Sequence, residues 1–415
     1  MKHHYQNQLF LVTYLFKVYD IDEITNTMKF PSFSLGQEWS ELKRFEKLSD
    51  FERSIVFYAE NKASMDYFGS LISELTEKMN LQICYVTSVK DDPILDTKNQ
   101  RILPFYIGDG TVRTKFFLTL KAKILVMDMP DLDQFHIKRS KIYPVHYVYL
   151  FHSMFSIHSY LRKGAIDNYD TIFCVGPHHV NEVRETEKIY ELKPKNLVKY
   201  GFGRLDTLLQ KKENFQITNS DTKDLIIIAP TYGDNNLLEK CGIKLIEILL
   251  KSNFRVMLSP HLRTLRDSTK LIGTINEKFK KNPNFILEKG DIPFDSYHNS
   301  KCMISDWSGI SLEYAFIFER PVIFIDVPKK VLNPNSSDIS LEPIEISIRK
   351  KIGHVVSPNN LEEIPLIIKD LEKNAQIFNK QIKEILSMTV YNIGESAKIG
   401  AKYIQQLNDE VGRKP

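Results

Sequence analysis

Short apolar runs alternate with helical segments from residue 54 onward, and this alternation constrains the fold more than any other feature of the sequence. Residues 55–58 and 81–86 are typical of buried strands, and residues 67–79 between them have helical periodicity. The pattern continues to residue 175 and returns in a second series from 225 to 325. Such alternation predicts an α/β protein with mostly parallel sheets covered by helices on both faces.

The chain length sets the number of domains. A chain of 415 residues exceeds what one hydrophobic core usually serves. The polar stretch 210–223 has the composition of a linker. We therefore predict an N-terminal extension (1–50), a first doubly wound domain (51–208), a second one (209–360), and C-terminal helices (361–415). One interpretation of these last helices is that they cross back to the first domain.

Composition and charge exclude several classes of protein. A hydrophobic content of 42% argues against a mainly disordered chain, and a net charge of +4 over this length does not by itself indicate nucleic-acid binding. The four cysteines are far apart and form no CxxC pair, which predicts buried, reduced thiols and no zinc site; they are Cys84, Cys174, Cys241 and Cys302. We expect a cytoplasmic protein.

The apolar segment 9–19 is the strongest candidate for a membrane contact. It contains Lys17 and is shorter than the roughly 20 residues that a span requires, and no signal-peptide pattern precedes it. One interpretation is a helix that lies on the inner face of the cytoplasmic membrane, and the other is a helix that packs on the protein.

A strand-to-helix turn at residues 305–309 is the principal candidate for ligand binding. In open α/β sheets, ligands bind where strands lead into helix N-termini, and unpaired amides there attract phosphates. Asp306, Ser308 and Gly309 lie in this turn, and Ser308 and Ser311 offer hydroxyl donors. Glu313 follows one turn later and is a candidate partner of a ribose hydroxyl. The alternative is that these residues only cap the helix.

Three other predicted strand ends carry polar side chains. Thr231 follows one strand, and Pro260 and His261 follow the next. In the first half, His152 and Ser153 stand where a strand leaves the sheet. An imidazole there is suited to take a proton from an attacking hydroxyl at neutral pH, although a histidine at a strand end is often structural.

Taken together, these segments resemble the CDP-glycerol glycerophosphotransferase family, which includes teichoic-acid primases and polymerases and related capsule and lipopolysaccharide enzymes. The resemblance spans residues 54–330 and rests on Phe151-His152-Ser153, Tyr169-Asp170, Gly176-Pro177-His178-His179, Gly201-Phe202-Gly203-Arg204-Leu205-Asp206, Ala229-Pro230-Thr231, Pro260-His261 and Ser305-Asp306-Trp307-Ser308. It implies a GT-B-like fold of two facing Rossmann-type domains with a cleft, and no required metal or cofactor.

The resemblance also implies roles for individual residues. His152 matches the histidine proposed as general base, and His261 matches a second histidine near the donor phosphates. Asp306 and Ser308 fall on the family's phosphate loop, Glu313 on an acidic position after it, and Arg204 on a segment near the domain junction. Three alternatives are open for Arg204: it clamps a phosphate, pairs with Asp206, or bonds to a backbone carbonyl. Gly309 replaces the family's second loop serine, and Trp307 replaces a tyrosine.

The implied activity is transfer of glycerol phosphate, or a similar polyol phosphate, from a CDP-activated donor to a hydroxyl of a surface polysaccharide or lipid-linked acceptor, with release of CMP. The candidates for the acceptor side are Glu60, Asn61, Arg113 and Ser153. Two alternatives remain open: a GT-B glycosyltransferase that uses a nucleotide sugar, and a non-catalytic nucleotide-binding assembly protein. The departures from the family pattern favour its Gram-negative surface-polysaccharide branch.

Overall fold

The computed structural model describes residues 36–216, 224–329 and 332–411. The apolar segment 9–19 lies outside the described residues, so both interpretations of it stay predictions. Among the described helices, none combines the length and apolar composition that crossing a bilayer requires.

The first half of the chain forms a seven-stranded parallel sheet. Its strands are β1 (Ile55–Ala59), β2 (Ile83–Thr87), β3 (Ile102–Tyr106), β4 (Ile124–Met127), β5 (His146–Leu150), β6 (Thr171–Cys174) and β7 (Asn196–Lys199). Their order across the sheet is β3-β2-β1-β4-β5-β6-β7. The accompanying helices are α1 (Gln37–Glu46), α2 (Ser64–Ser73, followed by a π-helical turn at Glu74–Lys78), α3 (Thr111–Thr119), α4 (Ile157–Tyr160), α5 (Pro177–Ile189) and α6 (Gly203–Glu213).

Burial on both faces explains why the strands of this sheet are continuously apolar. Along β1, Val56 and Tyr58 belong to the core on one face, and Ile55 and Phe57 belong to the core on the other. Side chains alternate between the two faces of a strand, and both faces here are covered by helices. The predicted doubly wound architecture is confirmed for this half.

The second half forms a six-stranded parallel sheet. Its strands are β8 (Leu225–Ile228), β9 (Arg255–Leu258), β10 (Phe285–Leu287), β11 (Ser300–Ser305), β12 (Val322–Ile325) and β13 (Gly353–Val356), in the order β10-β9-β8-β11-β12-β13. Its helices are α7 (Ile243–Lys251, preceded by a π-helical turn at Leu238–Gly242), α8 (Leu262–Asp267), α9 (Thr269–Phe279), α10 (Phe294–Asn299), α11 (Ile310–Phe318) and α12 (Ile344–Ser347). Short 3-10 turns occur at Pro93–Asp96, Ser336–Asp338 and Leu361–Glu363.

After β13, the described residues form three helices that connect the two halves. They are α13 (Ile364–Lys373), α14 (Ala375–Thr389) and α15 (Ser396–Val411). Helix α14 packs against α11 of the second half and α5 of the first, and α15 packs against α2 and α6. The crossing requires glycine at Gly176, because a Cβ there would collide with the Thr389 carbonyl oxygen. Gly201 has a φ of 106° and similarly faces the Tyr391 carbonyl.

The structure corrects the predicted linker at residues 210–223 and confirms that the four thiols are free and buried. Residues 210–213 are the last turn of α6, and residues 217–223 lie outside the described residues. Composition was misleading here because α6 buries mainly its first turn, at Gly203 and Leu205, and presents a polar face beyond it. All four cysteines are free and buried, as predicted.

Candidate functional site

A cavity of about 640 Å³ lies between the two sheets, and loops that follow their strands line it. Nine of the sequence-predicted site residues line this cavity: His152, Ser153, Arg204, Thr231, Pro260, His261, Ser308, Gly309 and Glu313. Because the carboxyl ends of parallel strands meet at one edge of each sheet, residues far apart in sequence are brought to one cleft.

His152, directly after β5, has a different partner for each ring nitrogen. Its Nδ1 lies 3.3 Å from the backbone oxygen of Asp128, and its Nε2 lies 2.9 Å from the hydroxyl of Tyr160. A carbonyl oxygen can only accept, so Nδ1 carries the hydrogen and Nε2 has a lone pair. Burial lowers the pKa of His152, and the Asp128 carbonyl acts in the opposite direction. The imidazole is therefore neutral at pH 7 and can accept a proton on Nε2.

Two further histidines fix the segment that follows His152. The Nε2 atoms of His178 and His179 donate to the backbone oxygens of Met154 and Phe155, both at 2.9 Å. The Nδ1 of His179 also accepts from the amide of Val175 at 3.3 Å, and burial lowers the pKa of His179 to about 3. The motif 176–179 thus positions the His152 segment.

Asp306 ties three backbone segments together. Its side chain is buried, and its carboxylate accepts from the amides of Thr231 (2.7 Å), Leu237 (2.9 Å) and Trp307 (2.7 Å). It does not line the cavity, which corrects its assignment as a donor contact. The carboxylate instead fixes the turn between β11 and α11 beside the loop that follows β8.

Ser308 and Gly309 are residues of this turn that line the cavity. The Oγ of Ser311 donates to the Ser308 backbone oxygen at 2.7 Å, so this hydroxyl serves the turn rather than the cleft. At the start of α11, the amides of Ser311 and Leu312 donate to the backbone oxygens of Ser308 and Gly309, both at 3.1 Å, whereas the amides of Ser308, Gly309 and Ile310 have no protein acceptor among the described residues. A Cβ added to Gly309 would lie 3.8 Å from the Oγ of Ser153. The turn and the His152 segment therefore face each other across the cleft.

His261 has the opposite tautomer from His152. It caps α8, and its Nδ1 accepts from the amide of Arg263 at 3.0 Å. In the neutral ring, the hydrogen therefore lies on Nε2, which makes this nitrogen a donor. The ring packs on Tyr232 at 4.5 Å between centroids. His261 is thus built to donate a hydrogen bond, whereas His152 is built to accept a proton.

Arg204 and Glu313 bind each other across the domain junction. The Nε of Arg204 lies 3.1 and 3.2 Å from the two carboxylate oxygens of Glu313, and its Nη1 bonds to Asp66. Burial raises the pKa of Glu313, and Arg204 partly offsets this effect. The predicted pairing of Arg204 with Asp206 is wrong.

Asp206 instead accepts from the amides of Gly394 (2.7 Å) and Ser396 (3.0 Å), at the start of α15.

Three of the four acceptor-side candidates lie outside the cavity lining. Arg113 donates to Glu60 at 3.0 Å, and the Asn61 side chain accepts from the amide of Ala63 at 3.0 Å. The polar groups of Glu60, Asn61 and Arg113 therefore bond to neighbouring residues near the carboxyl ends of the first sheet's strands. Of the four candidates, only Ser153 lines the cavity.

Sequence reasoning missed several residues that line the cleft, among them Tyr67, Tyr160, Lys211 and Lys329. Lys211 follows Arg204 by seven positions on α6, so helical spacing could have identified it once Arg204 was placed. Tyr160 carries no such signal, because its contact with His152 depends on how the chain returns after β5.

Within residues 36–216, 224–329 and 332–411, no group of three His, Cys, Asp or Glu side chains is arranged to hold a metal ion. The described site offers an imidazole lone pair on one side. On the other it offers backbone amides, hydroxyls and an imidazole N–H. This combination can activate a hydroxyl and hold an anionic group opposite it.

Solved structures with a similar fold include a polymerase, an epimerase and a glycosyltransferase. The wall teichoic acid polymerase TagF, soaked with CDPG, superposes with a TM-score of 0.54 at 13% identity, covering 91% of this chain and 95% of its own. UDP-GlcNAc 2-epimerase from Neisseria meningitidis, bound to UDP-GlcNAc, gives 0.55 at 13% identity, with coverages of 85% and 99%. A glycosyltransferase from Rickettsia africae gives 0.53 at 12%, with 88% and 100%. These similarities confirm the GT-B-like fold.

No curated protein sequence matches the chain. A family model does match, over residues 43–330, and its description is CDP-Glycerol:Poly(glycerophosphate) glycerophosphotransferase. This match covers more than half of the chain and includes both walls of the cleft. The protein is therefore an enzyme that belongs to the CDP-glycerol glycerophosphotransferase family.

Proposed function

We propose that this enzyme transfers glycerol phosphate, or a similar polyol phosphate, from a CDP-activated donor to a hydroxyl of a surface polysaccharide or lipid-linked saccharide, and releases CMP. The observation that carries the proposal is the opposition of His152 and the Ser308–Gly309 turn across one cleft. The family match supports the class of donor. The protein requires no metal or other cofactor in this proposal.

The donor binds on the second-half wall. Its diphosphate lies against the amides of Ser308, Gly309 and Ile310 and the hydroxyl of Ser308, where the helix N-terminus favours negative charge. Thr231 and Pro260 border this position, and His261 donates its Nε2 hydrogen to a phosphate oxygen. Arg204 supplies positive charge beside it, and its partner Glu313 accepts from a donor hydroxyl. These residues align the donor and offset the charge that develops during transfer.

The acceptor approaches from the first-half wall, next to Ser153. Its hydroxyl gives its proton to Nε2 of His152 as its oxygen attacks the distal phosphorus. The new oxygen–phosphorus bond forms while the bond to the CMP oxygen breaks. Alignment and neutralisation of charge supply most of the rate, because phosphoryl transfer requires little covalent chemistry from the protein.

The test combines product chemistry with one substitution. Purified enzyme is incubated with CDP-alcohols and nucleotide sugars in the presence of saccharide acceptors. We expect CMP and a phosphodiester from a CDP-alcohol, whereas a glycosidic product would support a glycosyltransferase instead. His152→Ala should lower kcat by about 10²-fold to 10⁴-fold, because a general base contributes this much, with nearly unchanged CDP binding. Transfer at the wild-type rate in His152→Ala would reject the mechanism.

We also propose that the enzyme works at the inner face of the cytoplasmic membrane in the synthesis of a surface polysaccharide such as a capsule or lipopolysaccharide. A water-soluble nucleotide donor and a lipid-linked acceptor would meet there. Cell fractionation tests this placement: recovery of the protein in the membrane fraction at low salt and its release at high salt are the expected outcomes for peripheral binding.

A further inference from the structure

The nitrogen of His152 that faces the reaction is already bonded to a hydroxyl of the protein. Tyr160 Oη lies 2.9 Å from His152 Nε2. Burial raises the pKa of Tyr160, so the phenol keeps its hydrogen at neutral pH. Because Nδ1 of His152 carries the ring hydrogen, the phenol is the donor and Nε2 the acceptor. This is the geometry that an acceptor hydroxyl must adopt for its proton to be removed.

We propose that Tyr160 is a positioning residue whose phenol occupies the place of the acceptor hydroxyl at His152, and that the arriving acceptor displaces it. In the absence of acceptor, the phenol prevents a water molecule from binding the base. This inference rests on the proposed role of His152 and adds to it a device against hydrolysis of the donor.

The surroundings of Tyr160 allow its side chain to move while its backbone stays fixed. The phenol is partly exposed and lines the cavity of about 640 Å³, so it has space to turn away from His152. The backbone of α4, in contrast, is attached to the second half of the chain. The amide of Ile344 donates to Ser156 Oγ at 2.7 Å, and the amide of Ser156 donates to Glu345 at 3.1 Å. Displacement is therefore a side-chain rotation.

Two further hydrogen bonds fix α4 to the second half of the chain. The Nδ2 of Asn333 donates to the backbone oxygen of His158 at 2.8 Å, and the Nε2 of His158 donates to the backbone oxygen of Leu341 at 3.0 Å. The wall that binds the donor thus also sets where Tyr160 stands relative to His152. The phenol is in place at the base before the acceptor arrives.

Transfer to the acceptor and hydrolysis by water break the same bond of the donor and differ in which oxygen attacks. In transfer, the acceptor oxygen bonds to the distal phosphorus, its proton moves to His152 Nε2, and the bond to CMP breaks. In hydrolysis, a water oxygen takes the same path and yields free polyol phosphate and CMP. Tyr160 suppresses the second reaction because water cannot use Nε2 while the phenol holds it.

The experiment is Tyr160→Phe, which keeps the ring and removes the hydroxyl. CMP release from CDP-glycerol without acceptor should rise about tenfold, while kcat for transfer stays within about threefold of wild type. The acidic limb of the pH profile of kcat/KM should move to higher pH. The reason is that a donor to the neutral imidazole disfavours its protonation, and this donor is lost.

Tyr67→Phe is the matched control. The Tyr67 ring also packs on His152, at 6.1 Å between centroids, but its hydroxyl is not the group bonded to Nε2. Its ratio of hydrolysis to transfer and its acidic limb should match wild type. Both variants are checked for folding by thermal unfolding and for CDP affinity.

Three results would contradict the inference. A wild-type ratio and pH profile in Tyr160→Phe would show that the phenol does not protect the base. A loss of transfer by about 100-fold would indicate a proton relay through Tyr160 instead. Equal changes in Tyr67→Phe would assign the effect to packing. If His152→Ala is inactive while Tyr160→Phe behaves as wild type, only this inference fails; an active His152→Ala enzyme would reject the proposed function itself.

Discussion

The two walls of the cleft are built by different means. On the first wall, imidazole side chains make the deciding bonds: the Asp128 backbone oxygen and the Tyr160 phenol fix the His152 ring, and His178 and His179 bond to the backbone oxygens of the segment after it. On the second wall, the ligand-facing groups of the turn are the amides of residues 308–310, and the buried Asp306 fixes the backbone beside them through hydrogen bonds from three other amides.

This difference determines what a substitution on each wall should affect. A change in the first wall alters the chemistry of one imidazole and leaves the nucleotide wall intact. A change at Asp306 alters the backbone that the donor contacts, and with it the stability of the second half. The two effects can be separated by measuring stability, donor affinity and rate in the same variants.

The largest effect is expected for Asp306→Ala. It removes the acceptor of three amides, two of them buried and one partly buried, and each then lacks this partner, so we expect a loss of about 3 to 6 kcal/mol in the free energy of unfolding. CDP affinity should fall as well, because the turn loses its support. Urea unfolding and CDP titration measure the two losses. A variant with wild-type stability that loses only CDP affinity would instead make Asp306 a direct ligand contact.

Sequence patterns located both sheets because buried parallel strands leave a strong apolar signal. They missed β7 and β13, edge strands of the first and second sheets; all residues of β7 and the two middle residues of β13 are exposed or only partly buried. They also located the strand ends that border the cleft, since strand-end loops are identifiable once the strands are. Sequence patterns could not predict the pairing of Arg204 with Glu313, because those residues are 109 positions apart and meet only after the domains pack.

The role of Asp306 illustrates the same limit. An aspartate before a helix predicts a cap or a ligand contact, and nothing in the local sequence indicates that its carboxylate bonds to the amides of Thr231 and Leu237. Tyr160 is a further case, because its contact with His152 follows from the course of residues 151–160 rather than from a motif. Sequence thus predicted which segments meet and not which side chains bond.

A smaller effect, of opposite sign, is expected for Asp128→Asn on the first wall. The Asp128 carboxyl accepts from Ser64 Oγ (3.1 and 3.2 Å), and burial raises its pKa to about 6. The folded state therefore binds this proton more tightly than the unfolded state, so the stability it contributes is lost as the pH rises from about 4 to about 6. At pH 7 the variant should be more stable than wild type by up to about 3 kcal/mol.

Urea unfolding at pH 4.5 and pH 7 checks this prediction. The difference between Asp128→Asn and wild type should be larger at pH 7, and transfer should be largely retained, because His152 contacts the backbone oxygen of Asp128 and not its carboxylate. Asp306→Asn is the contrasting variant. Burial raises the pKa of Asp306 as well, but both of its carboxylate oxygens accept from backbone amides, so the side-chain nitrogen of asparagine would face a donor and the variant should be destabilised at pH 7. A constant difference between the two pH values would mean that Asp128 is not the titrating group.

The smallest effect is expected for Gly309→Ser on the second wall. Gly309 has φ of −60° and ψ of −28°, which suit any residue, and an added Cβ would make only ordinary contact with Ser153 Oγ at 3.8 Å. Stability should therefore change by less than about 1 kcal/mol. The serine would add a hydroxyl to the turn, whereas alanine adds only a methyl group. The Gly309→Ser enzyme should therefore bind CDP-glycerol up to about threefold more tightly than the Gly309→Ala enzyme. Equal affinity of the two variants in calorimetric titration would indicate that the donor phosphates do not reach this position, and that the amides of the turn serve the helix alone.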